Sequence, residues 1–442
     1  MKPAGLQMEQ APPIAVPFQF FLTAPIFLLL TAAALLAGGP EALAFRVSAA
    51  TIAITHLYAL GFMTMVMIGS MMQMLPVLQG SPVPRPRATA LLTYVGVGLG
   101  TLALAAGFLF EQQWLLRVAA VALGAGCLIF ASAVLVCLAR APSQNYTVRA
   151  MWLAVVSLLV TVVFGVMLAT LFGWGIAPWN DAAHSLHPGW SLLGWTGLLV
   201  VGVGFELVPM LQMTPLYSKS VARYLGPAIL ALLVLWSALL WMDDGRPGAL
   251  AAACAVAIAA AYALFAVVTL VLQQRRRRRV PDVTLDFWRV GMSSLIGACL
   301  AWGLRVAVPG PWPESMDILI GVLAMFGFAG SVISGMLYKI MPFLAWFHLQ
   351  SMCAPGTLAP NMKKILPDVH QRLQLRAQVL ALGLLCAAAL WPRLFVYPAA
   401  LALAAAAVLL EVNVFRVVRA YRSHVKEMRA RAASSPAQPS LQ

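Results

Sequence analysis

The chain contains twelve apolar stretches that are each long enough to cross a lipid bilayer. A membrane-spanning helix needs about 20 predominantly apolar residues. The predicted spans, numbered 1 to 12 in chain order, are 17–38, 48–78, 87–110, 114–139, 149–173, 184–212, 220–242, 247–273, 287–308, 316–347, 373–391 and 394–418. We therefore predict an all-α polytopic membrane protein, with residues 1–442 forming one transmembrane domain.

The composition agrees with this prediction. Hydrophobic residues make up 62% of the chain and charged residues only 10%, whereas soluble domains have roughly 45–50% apolar and about 25% charged residues. No soluble fold could bury so much apolar surface. A soluble enzyme, a secreted disulfide scaffold and a disordered chain are therefore excluded.

Positively charged residues are concentrated in the loops that follow the even-numbered spans. They are Arg85, Arg87, Arg140, Arg149, Lys219, Arg223, the run Arg275–Arg279, Lys363, Lys364, Arg372, Arg376 and a basic tail at 419–442. Because cytoplasmic loops carry the excess of Lys and Arg, both termini are predicted to be cytoplasmic, in a bacterial-type inner membrane. The net charge of +15 thus indicates contact with the lipid bilayer and no nucleic-acid partner. The arginine run is interpreted as a stop signal on anionic headgroups, with a nucleotide contact as the alternative.

Spans 2, 6 and 10 share an internal repeat. Their segments GFMTMVMIGSMMQMLPV, GWTGLLVVGVGFELVPM and GFAGSVISGMLYKIMPF align without gaps and are spaced by 133 residues. The matching columns are Gly61, Gly194 and Gly327; Gly69, Gly202 and Gly335; and Pro76, Pro209 and Pro342. Because this period equals four spans, we predict three four-helix pseudo-repeats, 17–139, 149–273 and 287–418, around a pseudo-threefold axis with spans 2, 6 and 10 nearest the centre.

One repeat column carries polar residues: Gln73, Glu206 and Lys339. Glu206 and Lys339 have opposite charges at equivalent depth, and ionisable groups inside a membrane usually pair or serve function. The sequence therefore predicts an ion pair between spans 6 and 10. A proton path along these side chains is the alternative.

Three histidines lie near the predicted outer ends of repeat spans: His56 on span 2, and His184 and His187 on span 6. An imidazole inside a membrane needs a partner, either a metal or a hydrogen bond to a neighbouring helix. When the repeats are aligned on one helical wheel, His56 points about 200° away from His187. We therefore predict that these two histidines occupy different pockets.

Span 2 also carries a stripe of methionines, Met63, Met67, Met71 and Met74. Their thioether sulfurs are soft ligands that suit Cu(I). Flexible core filling is the commoner use of methionine, and both interpretations stay open.

These features resemble the haem–copper oxidase subunit I superfamily. The segment THLYALGFMTMVMIGSMMQMLPVLQG, from Thr55, looks like that family's second helix, and His187–Pro188 resembles the His-Pro pair on its sixth helix. The pattern of span 2 is also similar to the NnrS family, which contains haem and copper. The resemblance implies haem and copper as candidate cofactors, with His56 as a haem ligand and His184 and His187 as a copper or haem site.

The chain departs from the family pattern at other ligand positions. Spans 7 and 10 contain no histidine, and the nearest candidate for span 10 is His348, directly after its inner end. Val322 occupies the repeat position of His56, and Met325 follows one turn later as a candidate second haem ligand. A full oxygen-reducing centre is therefore not expected.

The resemblance implies a redox, sensing or assembly protein in a respiratory or nitrogen-oxide context, with an electron-transfer or oxidase subunit as partner. Two alternatives use the same repeats. One is a secondary transporter with Glu206 and Lys339 along its path, and the other is a structural subunit that has lost its metals.

Overall fold

The computed structural model describes residues 12–434 except 143, 278–279, 309, 311 and 354–357. Within these residues the chain is helical and contains no β-strand. Twelve of its helices are long and apolar enough to cross a membrane. They are α1 (Ala15–Leu43), α2 (Ala49–Val77), α3 (Pro86–Leu109), α4 (Gln113–Arg140), α5 (Tyr146–Trp174), α6 (Ala183–Gln212), α7 (Lys219–Met242), α8 (Ala249–Gln274), α9 (Val283–Ala307), α10 (Glu314–Gln350), α11 (Asp368–Leu390) and α12 (Pro392–Ser434).

The prediction of an all-α polytopic membrane protein is confirmed, and the twelve predicted spans correspond in order to α1–α12. The main difference is at the end of the chain, because α12 continues through residues 419–434 of the predicted basic tail. Residues 278 and 279 of the arginine run and the tail beyond 434 lie outside the described residues.

Several helix starts are fixed by a polar side chain that accepts a hydrogen bond from the first turn. The carboxamide oxygen of Asn145 accepts from the amide of Val148 at 2.8 Å, and the hydroxyl of Ser218 accepts from Val221. Such N-caps satisfy amide groups that have no partner within the helix.

Helices α2, α6 and α10 are the most buried of the twelve spans. In an 18-residue apolar window of each, 67%, 72% and 61% of residues are buried, against at most 56% in any other span. Two long-range hydrogen bonds join them. The indole of Trp195 on α6 donates to the hydroxyl of Thr64 on α2 at 3.3 Å, and the hydroxyl of Tyr58 on α2 donates to the carbonyl of Met325 on α10 at 3.4 Å.

Each central helix contains one wide, π-helical segment at nearly the same repeat position. These segments are Leu57–Thr64, Trp190–Gly197 and Val322–Gly330. Their first residues are separated by 133 and 132 positions, which follows the period of the sequence repeat. π-helical turns are rare and often lie at functional sites.

Tyrosines from neighbouring helices donate to carbonyl groups of two of these π-helical segments. The hydroxyl of Tyr58 donates to the carbonyl of Met325, and the hydroxyl of Tyr262 on α8 donates to the carbonyl of Leu193. A carbonyl in the apolar part of a membrane has no water to bond, so these hydroxyls compensate for the irregular backbone.

The repeat glycines allow each central helix to approach a neighbour closely. A Cβ atom at Gly194 would lie 2.6 Å from Cβ of Ser157 on α5, and one at Gly327 would lie 2.6 Å from Cβ of Ser294 on α9. At Gly61 an added Cβ would overlap Phe27 of α1. Each glycine thus contacts the first helix of its own four-helix segment, because small residues let helix backbones meet in lipid.

We expect Gly194→Ala and Gly327→Ala each to destabilise the protein by about 1–3 kcal/mol, because the added methyl group overpacks the contact. Thermal unfolding in detergent measures this effect. Gly383→Ala on α11 is the control, since a Cβ there meets nothing within 4 Å. If Gly194→Ala unfolds at the same temperature as Gly383→Ala, the close contact is not required.

Candidate functional site

Two of the predicted histidines have one ring nitrogen fixed by a backbone carbonyl. Nδ1 of His56 lies 2.7 Å from the carbonyl oxygen of Ile52, one turn earlier in α2. Nδ1 of His187 lies 3.1 Å from the carbonyl oxygen of Thr161 on α5. Because a carbonyl can only accept, we assign the proton of each neutral ring to Nδ1. Nε2 of each ring then has a lone pair, and no described residue forms a hydrogen bond with it.

The rings of His56 and His187 lie next to each other. Their centroids are 6.0 Å apart and their planes are within 17° of parallel. The prediction that the two histidines occupy different pockets is therefore wrong. The helical wheel did not exclude this contact, because two neighbouring helices can meet through opposite faces.

The separation of the two ring centroids, which is also that of stacked rings, can be compared with the separation of two imidazoles bound to one metal ion. A metal–nitrogen bond is about 2.0 Å long, and the centre of an imidazole lies about 1.1 Å behind its Nε2. Two rings on opposite sides of one ion would therefore have centroids about 6.2 Å apart. A carbonyl that fixes Nδ1 and leaves Nε2 for the metal is the usual outer-shell arrangement of metal-binding histidines.

Gly165 on α5 makes room for the ring of His187. A Cβ atom at this position would lie 2.9 Å from Cε1 and 3.3 Å from Nδ1 of His187. The same helix supplies the carbonyl of Thr161, one turn away. Helix α5 therefore both orients this imidazole and leaves it space. Gly165 was not predicted from the sequence, since it lies outside the repeat columns.

The other two predicted ligands are placed differently. His184 is exposed, with Nδ1 3.3 Å from the carbonyl of Asp181. Met325 is partly buried, and its backbone carbonyl receives the hydroxyl of Tyr58. A His56–Met325 haem pair and a His184–His187 metal pair stay predictions. Among the described residues, no three His, Cys, Asp or Glu side chains form a group that could hold a metal.

Lys339, one of the two residues of the predicted polar pair, forms an ion pair with Asp282. The ammonium group of Lys339 lies 2.9 Å from Oδ2 of Asp282, the residue that precedes α9. The other carboxylate oxygen of Asp282 accepts from the amide of Thr284 at 3.0 Å. Lys339 therefore has an acidic partner other than Glu206, which is partly buried and makes interactions of its own. A Glu206–Lys339 pair stays a prediction.

Comparison with protein-family models and with curated proteins gives no match to this chain. The site must therefore be judged on its own geometry.

For the metal site proposed in the next subsection, we expect Gly165→Ala to weaken binding by about tenfold or more, because disturbing the groups that orient a ligand histidine typically costs 10–100-fold in affinity. Metal titration of the purified protein measures this change. Gly124→Ala is the control, since its added Cβ would make only an ordinary contact, 3.7 Å from Val166. Equal affinities in the two variants would show that Gly165 does not position His187.

The partner of Lys339 can be tested with a double-mutant cycle. We expect Asp282→Asn and Lys339→Met to be coupled by about 0.5–1 kcal/mol in unfolding free energy, which is typical of a partly exposed ion pair. Asparagine keeps the oxygen that caps α9. A parallel cycle with Glu206→Gln serves as comparison, and a larger coupling to Glu206 than to Asp282 would reverse the assignment.

Proposed function

We propose that this protein is a multi-pass inner-membrane protein of the haem–copper oxidase subunit I-like class that binds a haem iron or copper ion between His56 and His187. The observation that carries this proposal is the meeting of these two imidazoles, from different central helices, at 6.0 Å. When bound, such a group would supply one-electron redox chemistry. The proposed role is electron transfer, sensing or assembly in a respiratory or nitrogen-oxide context.

The surroundings of His56 and His187 fix one nitrogen of each ring and leave the other available to a metal. Polar groups inside a membrane are costly and mark functional sites. Each ring has its Nδ1 satisfied by a carbonyl, yet Nε2 has no hydrogen bond from a described residue. If a metal ion were bound here, these Nε2 atoms would be the ones to hold it. Two purely structural histidines would instead be expected to use both ring nitrogens in helix-to-helix hydrogen bonds.

The available metal ligands favour electron transfer, sensing or assembly over oxygen reduction. The described part of α7 contains no histidine, and His348 lies near the end of α10, where its Nδ1 faces the carbonyl of Leu344 at 3.0 Å. A site with two imidazole ligands can hold one haem or one copper ion. It lacks the further histidines that the resembled family uses for a second metal.

The three-repeat architecture and the orientation belong to the same proposal. The 133-residue period of the glycines reappears in the positions of the π-helical segments, and each repeat glycine contacts the first helix of its own segment. These facts support three related units, 17–139, 149–273 and 287–418. The basic loops support cytoplasmic termini.

The direct test is an optical spectrum with metal analysis of the purified protein. We expect wild-type protein to contain, or take up, haem or copper, and His56→Ala and His187→Ala each to lose it. His184→Ala is the matched control and should retain the cofactor, because His184 is exposed. A haem protein would show a Soret band, whereas copper alone would appear only in the metal analysis.

Two results would contradict the proposal. The first is a wild-type protein that contains neither group and takes up neither. The second is full retention in His187→Ala. The first result would favour the transporter or the structural subunit.

A further inference from the structure

Four methionine side chains line one cavity between α2, α6 and α10. They are Met67, Met71 and Met74 of α2 and Met336 of α10, and all four are buried. The cavity has a volume of about 60 Å³, and its other walls are mainly Leu, Val and Ile side chains. Neither His56 nor His187 contributes to its wall. The cavity is therefore separate from the proposed histidine site.

The sequence places three of these thioethers on one face of α2. Met67 and Met71 are four residues apart and Met71 and Met74 are three apart, within a regular α-helical segment. Side chains at these spacings are neighbours, with Cβ atoms about 5–6 Å apart. Because methionine is long and has three rotatable bonds, neighbouring sulfurs can reach one ion at a metal–sulfur distance of about 2.3 Å. Met336 adds a fourth thioether from another helix.

Filling of the core does not account for this cavity. Methionine adapts to irregular gaps, and protein interiors leave few voids. Four of these adaptable side chains nonetheless leave open space where they meet. Met63 and Met72 of the same helix are also buried, but they do not line the cavity. The open space thus lies at the face of α2 on which the other thioethers gather.

The chemistry of the wall selects a soft ion. Apart from Ser70 and Trp288, no side chain in the wall has a nitrogen or oxygen atom, and the cavity presents no polar surface. Mg²⁺ and Ca²⁺ need oxygen ligands, and Zn²⁺ is bound by Cys, His, Asp or Glu. Thioethers are soft ligands that select Cu(I). A single positive charge also costs less than a double charge in an apolar site.

We propose that Met67, Met71, Met74 and Met336 form a Cu(I) site inside the bundle, in which neutral thioether sulfurs hold the ion. The copper keeps its oxidation state on binding and only exchanges ligands, so no electron donor or acceptor takes part. The proposal goes beyond the histidine site and does not depend on it, because the two sites share no residue.

Methionine methyl NMR reports on this site directly. Protein labelled with ¹³C at its methionine methyl groups is titrated with Ag(I), a soft ion of the same charge as Cu(I), and signals are assigned by single Met→Leu changes. We expect the four cavity methionines to shift together and to saturate at one ion, while the signal of Met72 stays in place. Zn(II) should move none of the four. Silver bound by cysteine or histidine does not affect this assignment, because only methionine methyl groups are observed.

Leucine substitutions test which sulfurs bind the ion. Leucine is a tolerated replacement for methionine of similar volume and has no sulfur. Met71→Leu together with Met336→Leu should weaken Ag(I) binding by about tenfold or more, since groups that merely orient a metal ligand are already worth 10–100-fold. Met72→Leu is the matched control, because Met72 is buried beside Met71 without lining the cavity. It should bind Ag(I) as the wild-type protein does.

Two results would overturn the proposal: no response of the four methyl signals to Ag(I), or equal weakening in Met72→Leu and in the double variant. The titration is repeated in His56→Ala/His187→Ala protein, where the methionine signals should still saturate at one ion. Loss of the response there would show that the methionines form no site of their own. Loss of haem or copper from the histidines with an unchanged methionine response would concern the histidine site alone.

Discussion

The apolar part of a membrane offers no water, so each polar group there must find a partner inside the protein. This constraint explains most of the polar contacts in the bundle. The hydroxyls of Tyr58 and Tyr262 donate hydrogen bonds to carbonyls of π-helical segments. The side-chain amide of Gln378 donates to the hydroxyl of Ser331 at 3.2 Å. Several buried groups in the described residues depart from this rule, among them the side-chain amide of Gln73 and the carboxyl of Glu411.

At the proposed histidine site, each imidazole has one ring nitrogen paired with a backbone carbonyl and the other available for a metal ion. The two rings belong to α2 and α6, so the arrangement suits a cofactor held between these two helices.

Sequence alone was sufficient for the fold at the level of helices. Spans are local signals, since apolar length alone decides whether a helix can cross the bilayer. The repeat glycines marked positions of close helix packing, since Gly194 and Gly327 make close contacts with Ser157 and Ser294. The sequence singled out both His56 and His187 for the same local reason, namely their unusual place in an apolar span.

The sequence did not predict which side chains meet. The distance between His56 and His187 depends on how α2 and α6 are rotated beside each other, and each helix contains a π-helical segment that changes its periodicity. The bond from Lys339 to Asp282 joins α10 to the residue before α9, which lies outside the aligned repeat columns. The importance of Gly165 likewise depends on the ring of His187 that packs against it, and that contact is seen only in the structure.

The most direct test of a shared histidine site is X-ray absorption at the edge of the bound metal, which counts imidazole ligands and measures their bond lengths. A site formed by His56 and His187 predicts two imidazole nitrogens at about 2.0 Å from one metal ion. A metal with a single imidazole ligand, or with none, would contradict it.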